Sequence, residues 1–99
     1  MSDTREAPSP AEQPAGWPEW VQRVADPDGG LWKVRTVDLL EAPGQFVIAE
    51  ARVLAQNMGR YQTTIEGPAG GSRTVYLAEK DEAEEYHRRT VRRIIAGQA

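Results

Sequence analysis

The sequence predicts an α+β fold: a short N-terminal helix, an antiparallel sheet of three to four strands in a meander, and one C-terminal amphipathic helix packed on it. Three observations lead there. Trp17, Trp20, Val21 and Val24 recur at helical spacing behind Pro18, a residue suited to a first helical turn. Short segments between residues 31 and 78 are rich in β-branched and aromatic residues and are parted by turns bearing Gly and Pro. Residues 79–96 carry apolar and charged sides at helical period.

Each element follows from local chemistry, taken in chain order. Residues 1–16 are Ser, Asp, Glu, Ala and Gln interspersed with Pro and Gly, with no apolar period. Such a segment buries too little to offset its ordering entropy, so it is read as a disordered tail, and residues 17–97 as a single small α+β domain. The Trp17–Val24 segment is too short to hold a helix alone, so its tryptophans must dock on something. Packing in the core is one reading. Insertion into a partner is the other, which makes Trp17 and Trp20 candidate protein-interface residues. Asp26-Pro27-Asp28-Gly29-Gly30 then forms a turn.

Leu31–Leu40 reads as a strand in which Trp32 and Val34 alternate with Lys33 and Arg35. The apolar phase slips to Val37 and Leu39, which predicts a bulge or bend near Thr36. Ala42-Pro43-Gly44-Gln45 has the composition of a type II turn. Phe46–Asn57 fits two periods. As a strand it aligns Val47, Ala49, Ala51, Val53 and Ala55; as a helix it aligns Val47, Ala51, Leu54, Met58 and Tyr61, with Gly59 at its end. The tight turn before it favours a hairpin, and the strand is adopted. Arg60–Glu66 and Arg73–Ala78, joined by Gly67-Pro68-Ala69-Gly70-Gly71, form a hairpin that runs into the helix Glu79–Ala96, ended by Gly97.

The charges of that last helix are segregated. Glu79, Asp81, Glu82, Glu84 and Glu85 fill its first half and Arg88, Arg89, Arg92 and Arg93 its second, an order that complements the helix dipole. Glu84–Arg88 and Glu85–Arg89 are i,i+4 pairs in the favourable direction, worth about 0.3–0.5 kcal/mol each. Arg92 and Arg93 have arginines, not acids, four positions before them. With Arg60 and Arg73 on the hairpin they are the cations without a local acid. The candidate residues for an anionic partner are therefore Arg60, Arg73, Arg88, Arg89, Arg92 and Arg93. His87 falls on the apolar side of the helix, where a satisfied core histidine is the plain reading and a pH-sensitive switch the sharper one.

Composition limits the activity. The chain has 99 residues, one His and no Cys, which removes disulfides and thiolate metal sites. The Asp26–Gly30 turn has the start of a calcium loop but not its later acids, so no metal is expected. No stretch nears 18 apolar residues and the N-terminus lacks an apolar leader core, so no membrane span is expected and cytoplasm is the expected location. Ser72 and His87 form no nucleophile motif, the Gly67–Gly71 loop joins two strands and has no following Lys, and the paired carboxylates lie on an open helix face. No cofactor and no enzymatic activity are expected.

Two functional readings result. The first is a small non-enzymatic protein-interaction or regulatory module, with a protein partner or a second copy of itself. The second is a nucleic-acid-binding accessory protein that uses the hairpin and the arginine-rich helix. Net charge divides unevenly, with four basic and nine acidic side chains in residues 1–50 against eight and six in residues 51–99. An overall charge of −3 weighs against a dedicated nucleic-acid binder but leaves room for a local basic patch. The strand-loop-strand-helix order of Gly59–Ile95, with Arg60 and Arg73 on the hairpin, resembles the small arm-type DNA-binding domains of phage integrases, which implies a sheet laid in the major groove. Were Phe46–Met58 helical, the hairpin would resemble the wing of a winged-helix protein, which implies basic residues near the phosphate backbone.

Overall fold

A computed structural model describes residues 15–42, 44 and 47–99. Most of the expected tail lies outside the described residues, as do Pro43 and Gln45 of the expected type II turn. The elements are β1 (Glu19–Ala25), β2 (Leu31–Asp38), α1 (Ile48–Asn57), β3 (Tyr61–Glu66), β4 (Ser72–Leu77) and α2 (Lys80–Ile95). The four strands form one antiparallel sheet in the order β1-β2-β3-β4, with α1 inserted in the connection between β2 and β3. The α+β class and the C-terminal helix are as the sequence predicts.

Two elements differ from expectation, for reasons visible in the residues. The expected N-terminal helix is strand β1. Trp20 and Val24 are spaced by four, which fits both the helical period and the strand period of two. In the strand they point to the same face with Gln22 between them, while Val21 turns to the other side, half-buried. Aromatic and β-branched side chains favour that extended choice. The segment taken as a strand at Phe46–Asn57 is instead helix α1, where the helix preference of its Ala, Glu, Arg, Leu and Gln residues prevails. Only Ala51 is fully buried, with Leu54 and Ala55 half-buried beside it, whereas Ala49 and Val53 are exposed.

The expected bulge near Thr36 is also absent: β2 pairs in unbroken register with β1 and β3 from Lys33 through Val37. The apolar phase slips because different faces are covered along the strand. Trp32, Val34 and Thr36 face α2, and Val37 faces α1. At this end of β2 both faces are buried, so Thr36, Val37 and Asp38 are all inaccessible.

The core consequently has two sides. On one, α2 lays Ala83, His87, Val91 and Ile94 across the sheet, against Trp20 and Val24 of β1, Val34 of β2 and Tyr61 of β3. On the other, Ala51, Leu54 and Ala55 of α1 cover Val37, Leu39 and Tyr76. Burying each large aliphatic side chain is worth about 1.5–3 kcal/mol, so these clusters rather than helix propensity hold both helices. Gly59, after α1, has φ +129°, and a Cβ there would lie 2.8 Å from the Leu77 carbonyl oxygen. That close approach ties the end of α1 to β4.

The ends of α2 are well closed. Glu79 donates its backbone N–H to Glu82 Oε1 at 3.2 Å, one arm of a capping box. At the other end Gly97 N–H donates to the Ile94 carbonyl and Gln98 N–H to the Arg93 carbonyl, the paired bonds of a Schellman motif. No described helix is long and apolar enough to cross a membrane.

Candidate anion-binding site

Helix α2 rests on the sheet with its acidic half at one end and its arginines towards the other. At the first end Trp17, Trp20 and Tyr61 form an aromatic cluster around Ala83, with ring centroids 5.9 Å apart for Trp17–Trp20 and 5.8 Å for Trp17–Tyr61. The Trp17 indole N–H donates to Glu84 Oε2 at 2.8 Å. The cations here have partners. Arg60 donates through Nε and Nη2 to the two oxygens of Asp38, both at 2.8 Å, and lies 5.4 Å from the Tyr61 ring. That fork-to-carboxylate bond holds the Arg60 guanidinium above its ordinary pKa. Arg88 sits 5.6 Å over the Trp20 ring and 3.8 Å from Glu84. Burial pushes the Tyr61 hydroxyl up.

The middle of the interface is polar, and all but one of its buried polar side-chain atoms have a partner among the described residues. His87, fully buried, stacks on Trp20 with 3.7 Å between centroids and 9° between planes. Its Nδ1 lies 2.8 Å from Thr36 Oγ1, which lies 2.7 Å from Thr63 Oγ1; its Nε2 lies 2.8 Å from Gln22 Oε1. With the Gln22 oxygen as acceptor, Nε2 carries the proton and Nδ1 accepts from the Thr36 hydroxyl, which accepts from Thr63. Burial, with the Arg88 charge beside it, pushes the imidazole pKa down to about 4, so the ring is neutral at pH 7. The indole N–H of Trp20 is buried without an acceptor among the described residues.

At the far end the helix and the β3–β4 hairpin diverge around a cleft of about 560 Å³. Its walls are Trp32, Ile65 and Tyr86, and three arginines border it: Arg73 from β4, with Arg89 and Arg93 from successive turns of α2. The register explains the convergence. Arg73 pairs with Ile65 and so points to the α2 side of the sheet, while Tyr86, Arg89 and Arg93 fall on one stripe of the helix. The Gly67–Gly71 turn contributes only Pro68 and Ala69 side chains to the rim, and a Cβ at Gly67 would press to 3.3 Å on the Trp32 ring. Trp32 is held in place by its indole N–H, which donates to Asp26 Oδ2 at 2.9 Å. Hydrogen bonds from Trp32 and the Asp28 and Gly30 amides keep the Asp26 carboxyl below its usual pKa.

The charged side chains of the cleft are all of one sign. Among the described residues that line it there is no aspartate or glutamate, and none lies within ion-pairing distance of Arg73, Arg89 or Arg93. Thr90, 8% exposed, lines its floor without a side-chain hydrogen bond to any described residue.

The six candidate arginines therefore separate. Arg60 and Arg88 are held by acids and rings at the first end. Arg92 was expected without an acid, but Glu85 approaches it from seven positions earlier at 3.4 Å, and Arg89 loses its expected partner as a result. Arg73, Arg89 and Arg93 come together at the cleft. Trp17 and Trp20, the candidate interface residues, are 3% and 1% exposed, so both rings belong to the core and present no surface to a partner. Trp32, Ile65 and Tyr86 were not singled out from sequence as site residues. Alternation on β2 and β3 and the helical stripe from Tyr86 to Arg93 carry them, but only once the hairpin is laid against α2.

No three or more metal-ligating side chains gather among the described residues. Compared with models of known protein families, with curated proteins and with solved structures, the chain matches none.

Proposed function

We propose that this chain is a small non-enzymatic interaction module that captures an anionic partner in the cleft between the β3–β4 hairpin and α2. The observation that carries this reading is the convergence of Arg73, Arg89 and Arg93 on a space with no aspartate or glutamate among its described lining residues. Three guanidinium groups held near one another repel, and an anion that bridges them recovers the lost Coulomb energy and supplies fork-shaped acceptors. The apolar walls lower the local dielectric and strengthen that attraction. The volume falls in the ordinary range for ligand sites. Support for a non-enzymatic role is that, among the described residues, the hydroxyl–imidazole contact of Thr36 with His87 is fully buried, out of reach of a substrate.

The sheet-in-groove and wing readings gain less support. The sheet face away from α2 mixes Glu19 and Glu66 with Arg23, Lys33 and Arg35, and Arg35 is bound to Glu19 at 2.6 Å. The β3–β4 hairpin is half of the sheet rather than a projecting wing.

Thermal unfolding at low salt in the presence of pyrophosphate, poly-glutamate and single-stranded DNA tests the proposal. At least one anion is expected to raise the midpoint, by mass action on the folded state. The shift is expected to vanish in the combined Arg73→Gln, Arg89→Gln, Arg93→Gln variant and to shrink with salt. Absence of any shift in the wild type at low salt overturns it.

A further inference from the structure

We infer that the anion is compact and ring-bearing, a nucleoside di- or triphosphate, with its phosphates on Arg73, Arg89 and Arg93 and its base against Tyr86 and Trp32; this rests on the anion-binding reading of the same cleft. Two features of the cleft decide the size and shape of its ligand. First, the basic cleft is bounded by acid on both sides. Along α2, Glu85 and Glu82 precede Arg89 by one and two turns, about 6 and 10 Å along the axis. Beyond Trp32, the adjoining hollow carries Asp26 and Asp28. A long polyanion would run over one of these acidic borders in either direction, so an extended strand of nucleic acid or an acidic tail is disfavoured, whereas the charged side chains that meet a ligand ending inside the cleft are all arginines. The available volume, about 560 Å³, admits one nucleotide rather than a strand.

Second, the cations share the space with aromatic and apolar walls. Inorganic phosphate or pyrophosphate would satisfy the arginines and leave the half-buried rings of Trp32 and Tyr86 in contact with water. A planar base fills that part of the cleft and stacks on an aromatic side chain, a contact that tolerates any base. Arg89 and Arg93, one turn apart on α2, face Arg73 across the opening, an arrangement that can grip successive phosphate groups. The Thr90 hydroxyl supplies a hydrogen bond for sugar or base at the wall.

Isothermal titration of the full chain with ADP, adenosine, pyrophosphate, octyl phosphate and a ten-nucleotide DNA strand tests this. ADP is expected to bind at least tenfold more tightly than pyrophosphate, octyl phosphate and adenosine, and more tightly per molecule than the strand. Arg73→Gln is expected to weaken ADP and pyrophosphate together. Tyr86→Leu, which keeps apolar bulk and removes the ring, is expected to weaken ADP roughly tenfold and leave pyrophosphate unchanged. Far-UV circular dichroism checks that each variant is folded, and Arg92→Gln, outside the cleft, is expected to bind like the wild type. Equal affinity for pyrophosphate or octyl phosphate overturns the nucleoside and keeps the anion site. Tighter binding of the ten-nucleotide strand overturns the compact ligand in favour of a polymer. If no anion binds, both this inference and the reading beneath it fall.

Discussion

The two ends of α2 use the same residue types to opposite effect. At the Trp17–Trp20–Tyr61 end, arginines lie over aromatic rings and against carboxylates, and every such contact closes on itself. At the Trp32–Tyr86 end, arginines again lie beside aromatic rings, but they border a cleft that no described aspartate or glutamate lines. An arginine's role is therefore set by what other elements bring to it. Arg60 is silenced by Asp38, which is 22 positions away in sequence and joined to it through the sheet. Arg73 has no such neighbour, although it stands on the same hairpin.

The closed end of α2 is the more sensitive to substitution. Trp20→Ala removes the ring that His87 stacks on and is expected to cost about 3–5 kcal/mol, read as a fall in the urea midpoint. The central histidine gives the next largest effect, through pH. Its folded pKa, about 4, lies below the ordinary value of 6.5, so the unfolded chain binds the extra proton first as pH falls. The stability from the neutral ring is therefore complete above about pH 6.5 and is lost progressively down to about pH 4, about 3 kcal/mol at most. Urea unfolding between pH 4 and 7 should show this slope, and His87→Gln should flatten it.

Smaller effects sharpen the contrast. Gly59→Ala places a Cβ against the Leu77 backbone at positive φ and is expected to cost about 2 kcal/mol. Arg60→Gln leaves Asp38 buried without its fork and is expected to cost about 1–2 kcal/mol, allowing for the exposure of Arg60. Arg73→Gln and Arg93→Gln, at the open end, are expected to change stability by less than about 0.5 kcal/mol or to raise it slightly, since each relieves repulsion. A destabilisation equal to that of Arg60→Gln would show that these arginines are structural after all.

Much of the C-terminal half was legible from local pattern. Tyr61, Thr63 and Ile65 alternate, the Gly67–Gly71 turn is unmistakable in composition, and Gly97 marks the end of α2. The N-terminal half was less so. Trp20 and Val24 satisfy two periods at once, and the choice between them is made by β2, which offers a pairing edge that no local window contains. At Phe46–Asn57 the short turn before it pointed to a hairpin, whereas the composition pointed to a helix, and composition prevailed. The arginines of the site were read from the sequence, but the partition among them was not. Glu85 reaches past Arg89 to Arg92, and Asp38 reaches Arg60 across the sheet; neither follows from spacing alone.

The helix inserted between β2 and β3 has a kinetic consequence. Hairpins β1–β2 and β3–β4 each close over a few residues, whereas joining them requires the chain to bring Asp38 back to Tyr61 across the whole α1 connection. That closure is the largest entropic step in assembling the sheet, so it is expected to come last among the strand pairings, after β3, β4 and α2 have formed a local nucleus. Substitutions at Val75 or Ile65 should then slow refolding, while those at Val37 or Ala51 should mainly speed unfolding, a division that stopped-flow chevrons measure directly. Because closure cost grows slowly with length, doubling the α1 connection should cost only about 0.6 kcal/mol, making it the place where this sheet best tolerates an inserted segment.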